Sequence, residues 1–230
     1  MSGAAYLSAR AAYISGGGLV QIYTEESNRT ILQQLLPEAI VSTYTEYEEE
    51  KLQSLLKWAD VICIGCGLGK SRTAGQILSY LMKYAEVPCV IDADGLNLLA
   101  DHMELLPKEK KPFVLTPHMK EMAGLLGCTI GTGKNRFAAL KEFTDSYGVV
   151  CALKDARSLW QERPADVSEY CWKQCDGKGR FRRCACRSDH RLLAQHMKCM
   201  KGLCWECIFM PVEEMQPERG EALTAFWQKI

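Results

Sequence analysis

From Leu19 to Leu153 the chain alternates short apolar runs with longer amphipathic ones, and this alternation restricts the fold more than any other feature. The apolar runs have strand length: Leu19 to Tyr23, Ala39 to Thr43, Val61 to Gly65, Cys89 to Asp92, Phe113 to Thr116 and Val149 to Leu153. Most show little polar alternation, the pattern of strands buried on both faces. Helical spacing occurs at Ala4 to Ile14, Lys51 to Trp58, Thr73 to Tyr84, Lys120 to Leu126 and Arg136 to Tyr147. Strand followed by helix, repeated, predicts a mostly parallel sheet covered by helices on both faces. Ligands of such sheets collect beyond the carboxyl ends of the strands, so function is expected in the turns after four of the runs.

The first turn reads Gly65-Cys66-Gly67-Leu68-Gly69-Lys70-Ser71 and leads into a helix. Its glycines let a backbone approach a phosphate, and helix-start amides favour an anion. It matches neither the Walker A pattern, because Ile64 stands where the first glycine would be, nor G-x-G-x-x-G, because Lys70 stands at the last glycine. A plain glycine turn reads equally well. The second turn, Asp92-Ala93-Asp94-Gly95-Leu96-Asn97, brings two carboxylates and an amide to a strand end. They suit magnesium or ligand hydroxyls; for Asp94 alone, capping a helix that begins near Leu96 is favoured.

The third turn, Thr116-Pro117-His118-Met119-Lys120-Glu121, presents His118 and Glu121 just after a buried run. Alternatively Thr116 caps a helix with Pro117 in its first position, leaving His118 exposed and idle. The fourth, Lys154-Asp155-Ala156-Arg157-Ser158, delivers a cation that suits a nucleotide phosphate or a solvated strand end. Each turn has a bland explanation. The functional reading rests on all four falling at one edge of one sheet.

Composition narrows the partners. The chain is 47% hydrophobic and 24% charged, which excludes a disordered or collagen-like protein. Its 28 basic residues balance 28 acidic ones, so no nucleic-acid partner is expected. No uncharged apolar run approaches the roughly 18 residues of a membrane span. Arg10 interrupts the N-terminal apolar stretch where a signal peptide would be most hydrophobic, and a soluble cytoplasmic protein is expected. Of the 12 cysteines, Cys63, Cys66, Cys89, Cys128 and Cys151 lie in apolar runs or at helix ends, where a reduced thiol packs as a small hydrophobe. The other seven follow Ser158, as do four of the five tryptophans, so the composition changes abruptly there.

The segments Ser2 to Leu7, Gly17 to Val20, Gly65 to Gly69, Ile91 to Asn97, Leu115 to Glu121 and Leu153 to Ala156 together resemble, in order and spacing, the NAD(P)H-hydrate dehydratases. The resemblance covers residues 1 to about 157. It implies a ribokinase-like three-layer αβα fold whose first strand would precede Met1. It also implies dehydration of the hydrated (S)-forms of NADH or NADPH back to the working cofactor, driven by ADP or ATP, with ADP favoured by the bacterial look of the chain. Phosphoryl transfer to the hydroxyl makes it a leaving group, and loss of phosphate restores the ring. By the same likeness Ala4, Gly67, Gly69 and His118 would contact the hydrated dinucleotide. Lys154, Asp155, Ala156, Arg157 and Ser158 would lie along the adenine nucleotide, with magnesium offsetting phosphate charge. Asp92, Asp94, Asn97 and Glu121 are additional candidates. A homo-oligomer, and an epimerase domain fused or encoded separately, are partners to consider.

The family's glycine-rich anion hole, G-N-x-A-M-A-K-G-G-S-G-D-V-L-A-G, should follow Lys154 and is missing, so no catalytic residue is retained. Written as codons with suitable synonyms and read one base later, Val167 to Arg191 becomes YLNTAGNSAMAKGGSGDVLAGQITG. Residues Leu192 to Lys198 resemble family sequence as they stand, and Cys204 to Met215 shift to LGVYFYACGGD. These matches identify residues 158–230 as an aberrant, frame-shifted tail, expected to pack poorly, and residues 1–157 as a partial core. The chain as written is then expected to be inactive. The pair Cys184 and Cys186, the run Cys204 to Cys207 and the arginines Arg180, Arg182, Arg183 and Arg187 follow from shifted codons. No regular paired C-x2-C framework supports zinc. Two other readings remain: a vitamin-precursor kinase of the same fold, and a non-catalytic nucleotide-binding or zinc module.

Overall fold

The computed structural model describes residues 1–14, 17–106, 113–128, 134–154, 157–161 and 168–171. The described residues divide into two units, Met1–Glu46 and a second that begins at Tyr47. The first unit consists of α1 (Ser2–Ile14), β1 (Gln21–Glu25), α2 (Arg29–Leu35) and β2 (Ile40–Tyr44). Its strands pair in parallel, from Gln21 opposite Ile40 to Glu25 opposite Tyr44. Ala9, Ile22, Leu32, Leu36 and Ala39 form its core, with Tyr6, Tyr13 and Val20 packed against them. The helix α2 has no counterpart in the apolar pattern, because only Leu32 of its seven residues is buried. β1 starts at Gln21 rather than Leu19: Leu19 is 69% exposed, while Thr24 and Glu25 continue the pairing with β2.

The second unit runs α3 (Glu49–Trp58), β3 (Ile62–Ile64), α4 (Arg72–Tyr84), β4 (Cys89–Ile91), α5 (Asp94–Ala100), β5 (Phe113–Leu115), α6 (Met119–Leu126), α7 (Lys134–Tyr147), β6 (Val150–Leu153), β7 (Arg157–Gln161) and β8 (Ser168–Cys171). Its six-stranded sheet has the order β3-β4-β5-β6-β7-β8. β3 to β6 are parallel, so the turns after Ile64, Ile91, Leu115 and Leu153 share one rim. The expected parallel arrangement is present, as two sheets of two and six strands among the described residues. β7 and β8 pair antiparallel, Leu153 facing Leu159 and Arg157 facing Cys171. The composition boundary at Ser158 therefore falls within β7, and everything after Cys171 lies outside the described residues.

Burial follows strand position. Every residue of β4 and β5 is buried, as their unbroken apolar runs require. β3 is first in the order, and its Cys63 is exposed. The expectation that the five early cysteines all pack as small hydrophobes is corrected: Cys89 and Cys151 are buried, Cys66 is half-buried, and Cys128 is exposed with Cys63. Burial pushes the Cys89 thiol up to about 12 and the Cys151 thiol upward as well, so both stay protonated packing groups. Among the described residues no helix is long and apolar enough to cross a membrane.

Candidate functional site

The glycine turn after β3 is held against the turn after β4 at a distance only glycine permits. Gly65 has φ +114°, and a Cβ there would lie 1.8 Å from the Asp92 carbonyl oxygen and 2.7 Å from the Gly95 nitrogen. Asp92 N donates to Ile64 O at 3.0 Å, and Leu68 N donates to Gly65 O at 3.3 Å. Gly67 and Gly69 also have positive φ, +77° and +79°. The Gly69 amide donates to Asp94 Oδ2 at 2.8 Å. Ser71 caps α4 by accepting from Ala74 N at 3.1 Å, so one helix-start amide is already taken by the chain itself.

Asp92 to Gly95 form a β-turn closed by Gly95 N donating to Asp92 O at 2.9 Å. Ala93 occupies its first corner at φ 47°, ψ −117°, close to the type II′ geometry that glycine dominates. It is the one non-glycine residue with positive φ among the described residues. This geometry corrects the expectation that Asp94 caps the helix. α5 begins at Asp94, its N-cap is Ala93, and the Asp94 carboxylate accepts from the glycine turn instead. Asn97 donates from Nδ2 and from its backbone to Ala93 O, both at 3.1 Å, which uses its amide to brace the turn. Ala93→Gly relieves the left-handed strain and is expected to stabilise the protein by about 1 kcal/mol, read as a higher denaturant midpoint.

The third turn also departs from expectation. Thr116 is fully buried and still belongs to the strand ladder, its N donating to Ile91 O at 3.2 Å. The helix therefore cannot start there, and His118 rather than Thr116 is the N-cap of α6. His118 Nδ1 accepts from Glu121 N at 3.0 Å, while Glu121 Oε2 accepts from His118 N at 2.8 Å, a complete capping box. Because Nδ1 accepts, the neutral ring carries its proton on Nε2. Glu121 is buried at 7% exposure while the His118 ring is half exposed. His118 is thus neither idle nor fully free: it holds the helix start and still offers a ring face.

Lys154 knits the rim together. Its backbone N donates to Pro117 O at 2.7 Å, in a parallel bridge with His118. Its ammonium lies 2.6 Å from Asp92 Oδ1, with the lysine and carboxylate side chains 24% and 12% exposed. Lys154 is therefore not a solvated strand end. β4 and β6 flank β5, so this pair crosses over the end of the central strand. Opposite charges at the ends of two strands separated by one other strand were the available sequence signal. Neither partner singly announced the pairing. Arg157 and Ser158 open β7, where only the backbone is described. Asp155 and Ala156, like the cysteine and arginine motifs of the tail, lie outside the described residues. Ala4 lies half-buried on α1 in the first unit.

Among the described residues the donor set builds no magnesium cage of its own. Among the described residues no group of three His, Cys, Asp or Glu could hold a metal, and Asp92 is already engaged by Lys154. What the rim offers is backbone closeness at the glycine turn, the Lys154 ammonium and the His118 imidazole.

Comparison with known proteins agrees with this architecture. The bifunctional NAD(P)H-hydrate repair enzyme Nnr of Vibrio cholerae is 34% identical over 160 residues, covering 69% of this chain and 31% of that protein. The ADP-dependent (S)-NAD(P)H-hydrate dehydratase of Lactiplantibacillus plantarum is 42% identical over 130 residues, covering 56% of this chain and 45% of the relative. This chain thus spans 31% to 45% of the length of these relatives. A crystal structure of a ribokinase-like superfamily protein from Enterococcus faecalis superposes with TM-score 0.66 at 26% identity, covering 75% of this chain and 59% of that one. The fold is ribokinase-like. Residues 1–173 match the family model described as NAD(P)H-hydrate dehydratase, and the chain belongs to that family.

Proposed function

We propose that the rim of β3 to β6 is the binding half of an adenine-nucleotide-dependent NAD(P)H-hydrate dehydratase. Its substrates are the hydrated (S)-forms of NADH or NADPH together with ADP or ATP, and its setting is the cytoplasm. The observation that carries this reading is the joining of the glycine turn, His118 and Lys154 at one sheet edge through Asp94, Asp92 and Pro117. Gly67 and Gly69 give the hydrated dinucleotide a close backbone wall. His118 offers its ring beside that wall, and Ala4 is carried by the family likeness alone. The Lys154 ammonium faces nucleotide phosphate, and by the family likeness Asp155, Ala156, Arg157 and Ser158 lie along the nucleotide. In the full reaction the terminal phosphoryl group of ADP or ATP passes to the ring hydroxyl oxygen, which gives up its proton as AMP or ADP leaves; phosphate then departs with the carbon–oxygen bonding pair, and the neighbouring ring carbon loses a proton to restore the dihydronicotinamide. Nothing among the described residues places magnesium. An epimerase that interconverts the two hydrate epimers is the natural companion, fused or separate.

The chain as written binds without turning over, because the glycine-rich anion hole and its Asp are replaced by the sequence after Ser158. Titration calorimetry with ADP and with hydrated NADH tests this: binding of both with no NADH formed supports it, and binding of neither refutes it. His118→Ala removes a helix cap, at a cost of about 1 kcal/mol, and weakens the hydrated dinucleotide while leaving ADP affinity unchanged. Unchanged affinity for the dinucleotide would remove His118 from the site.

A further inference from the structure

We propose that Asp92 is a positioning residue for Lys154, and that the strained turn carrying it sets the ligand-facing groups of the rim rather than touching ligand itself. This rests on the nucleotide reading above and adds to it the group that aims the lysine. Asp92 is the more buried partner, 12% exposed against 24% for Lys154, so the carboxylate sits behind the ammonium. An ammonium has three N–H donors, and one is committed to Asp92 Oδ1 at 2.6 Å. The other two remain for a phosphate.

A competing arrangement has an incoming phosphate pull Lys154 away from Asp92. That would leave a largely buried carboxylate without its counter-charge, among the costlier changes a protein interior can undergo. The lysine therefore keeps Asp92 when ligand arrives. The second carboxylate of the turn behaves in parallel: Asp94 Oδ2 accepts from the Gly69 amide and fixes the glycine turn. Both carboxylates leave one four-residue turn whose Ala93 corner is strained at φ 47°, and that turn is pressed against Gly65. Strain retained where two loops and a cation meet is the mark of a positioning element. Asp92 and Asp94 are accordingly supports for the ligand-facing groups, not ligands for magnesium or hydroxyls.

The test uses the full chain and reads Lys154 directly. Acylation with an N-hydroxysuccinimide ester, followed by peptide mass spectrometry, gives the rate at Lys154 relative to the exposed Lys57. In the wild type Lys154 is expected to react about tenfold more slowly than Lys57, and Asp92→Asn is expected to remove most of that protection. Asp94→Asn, in the same turn, should leave Lys154 protected, which separates loss of the pair from general damage to the turn. ADP affinity should fall about tenfold in Asp92→Asn and in Lys154→Met, with the double variant no weaker than either single one. Equal labelling of Lys154 in wild type and Asp92→Asn would overturn the proposal. Tighter ADP binding by Asp92→Asn would also overturn it, making Asp92 a competitor of the ligand. If the labelling pattern holds while the wild type binds no ADP, the positioning of Lys154 stands and the nucleotide reading falls.

Discussion

A gene shifted by one base across codons 167–191, so that it encodes the glycine-rich segment and its Asp, is expected to yield a chain that converts hydrated NADH to NADH with ADP. The gain should be large, because two separate contributions return together. A positioned base contributes about 10²–10⁴-fold, and each amide aimed at a transferring anion contributes about 10²–10³-fold. Acting as a unit these do not simply multiply, and a rise on the order of 10⁴-fold over the chain as written is the expected outcome. Absorbance at the reduced-nicotinamide band, with AMP release measured in parallel, reads it. A repaired chain with no turnover, or an uninterrupted genomic frame that encodes the tail as written, would sink the frame-shift reading. Phosphorylation of hydroxymethylpyrimidine by the repaired chain, without NADH formation, would assign it to the vitamin-precursor kinases instead.

The second large effect is structural. Gly65→Ala places a methyl group 1.8 Å from the Asp92 carbonyl oxygen at a φ of +114°. The obstacle is backbone, so no rotamer change relieves it. The β3 and β4 turns must move apart, and with them the Asp94 tie to Gly69 and the aim of Lys154. A loss of about 3 kcal/mol or more is expected, combining the left-handed penalty of about 1–2 kcal/mol with overpacking of about 1–3 kcal/mol. Gly69→Ala gives the contrast: its φ is +79° but nothing lies within 4 Å of the added carbon. Only the conformational penalty of about 1–2 kcal/mol applies there. Equilibrium denaturation of the two variants separates the terms, and equal losses would show that the close approach at Gly65 carries no weight.

Strand positions were legible because β4 to β6 are buried on both faces, so their apolar runs are unbroken. α2 was not, because a helix with one buried residue leaves no periodic stripe. β7 and β8 were not, because the composition change near Ser158 masked them. The candidate positions were legible as strand-end turns, but the bonds within them were not. Asp94 read as a cap by its place before a helix, whereas its partner Gly69 is 25 residues away in sequence. Lys154 and Asp92 are 62 residues apart and meet only because β4 and β6 flank β5. His118 read as either ligand or bystander, and its capping role depended on Thr116 remaining in the ladder, which no local pattern encodes.

The order β3-β4-β5-β6 also acts as a ruler. These strands lie side by side in the order in which they occur along the chain, and neighbouring strands are spaced about 4.8 Å apart. Three such steps separate the glycine end of the rim from the lysine end, roughly 14 Å. A compact metabolite such as a monosaccharide cannot reach both termini of that span. An elongated molecule, or two placed end to end, can, so a guest that meets the glycine turn and Lys154 together must span the backbone width of four strands.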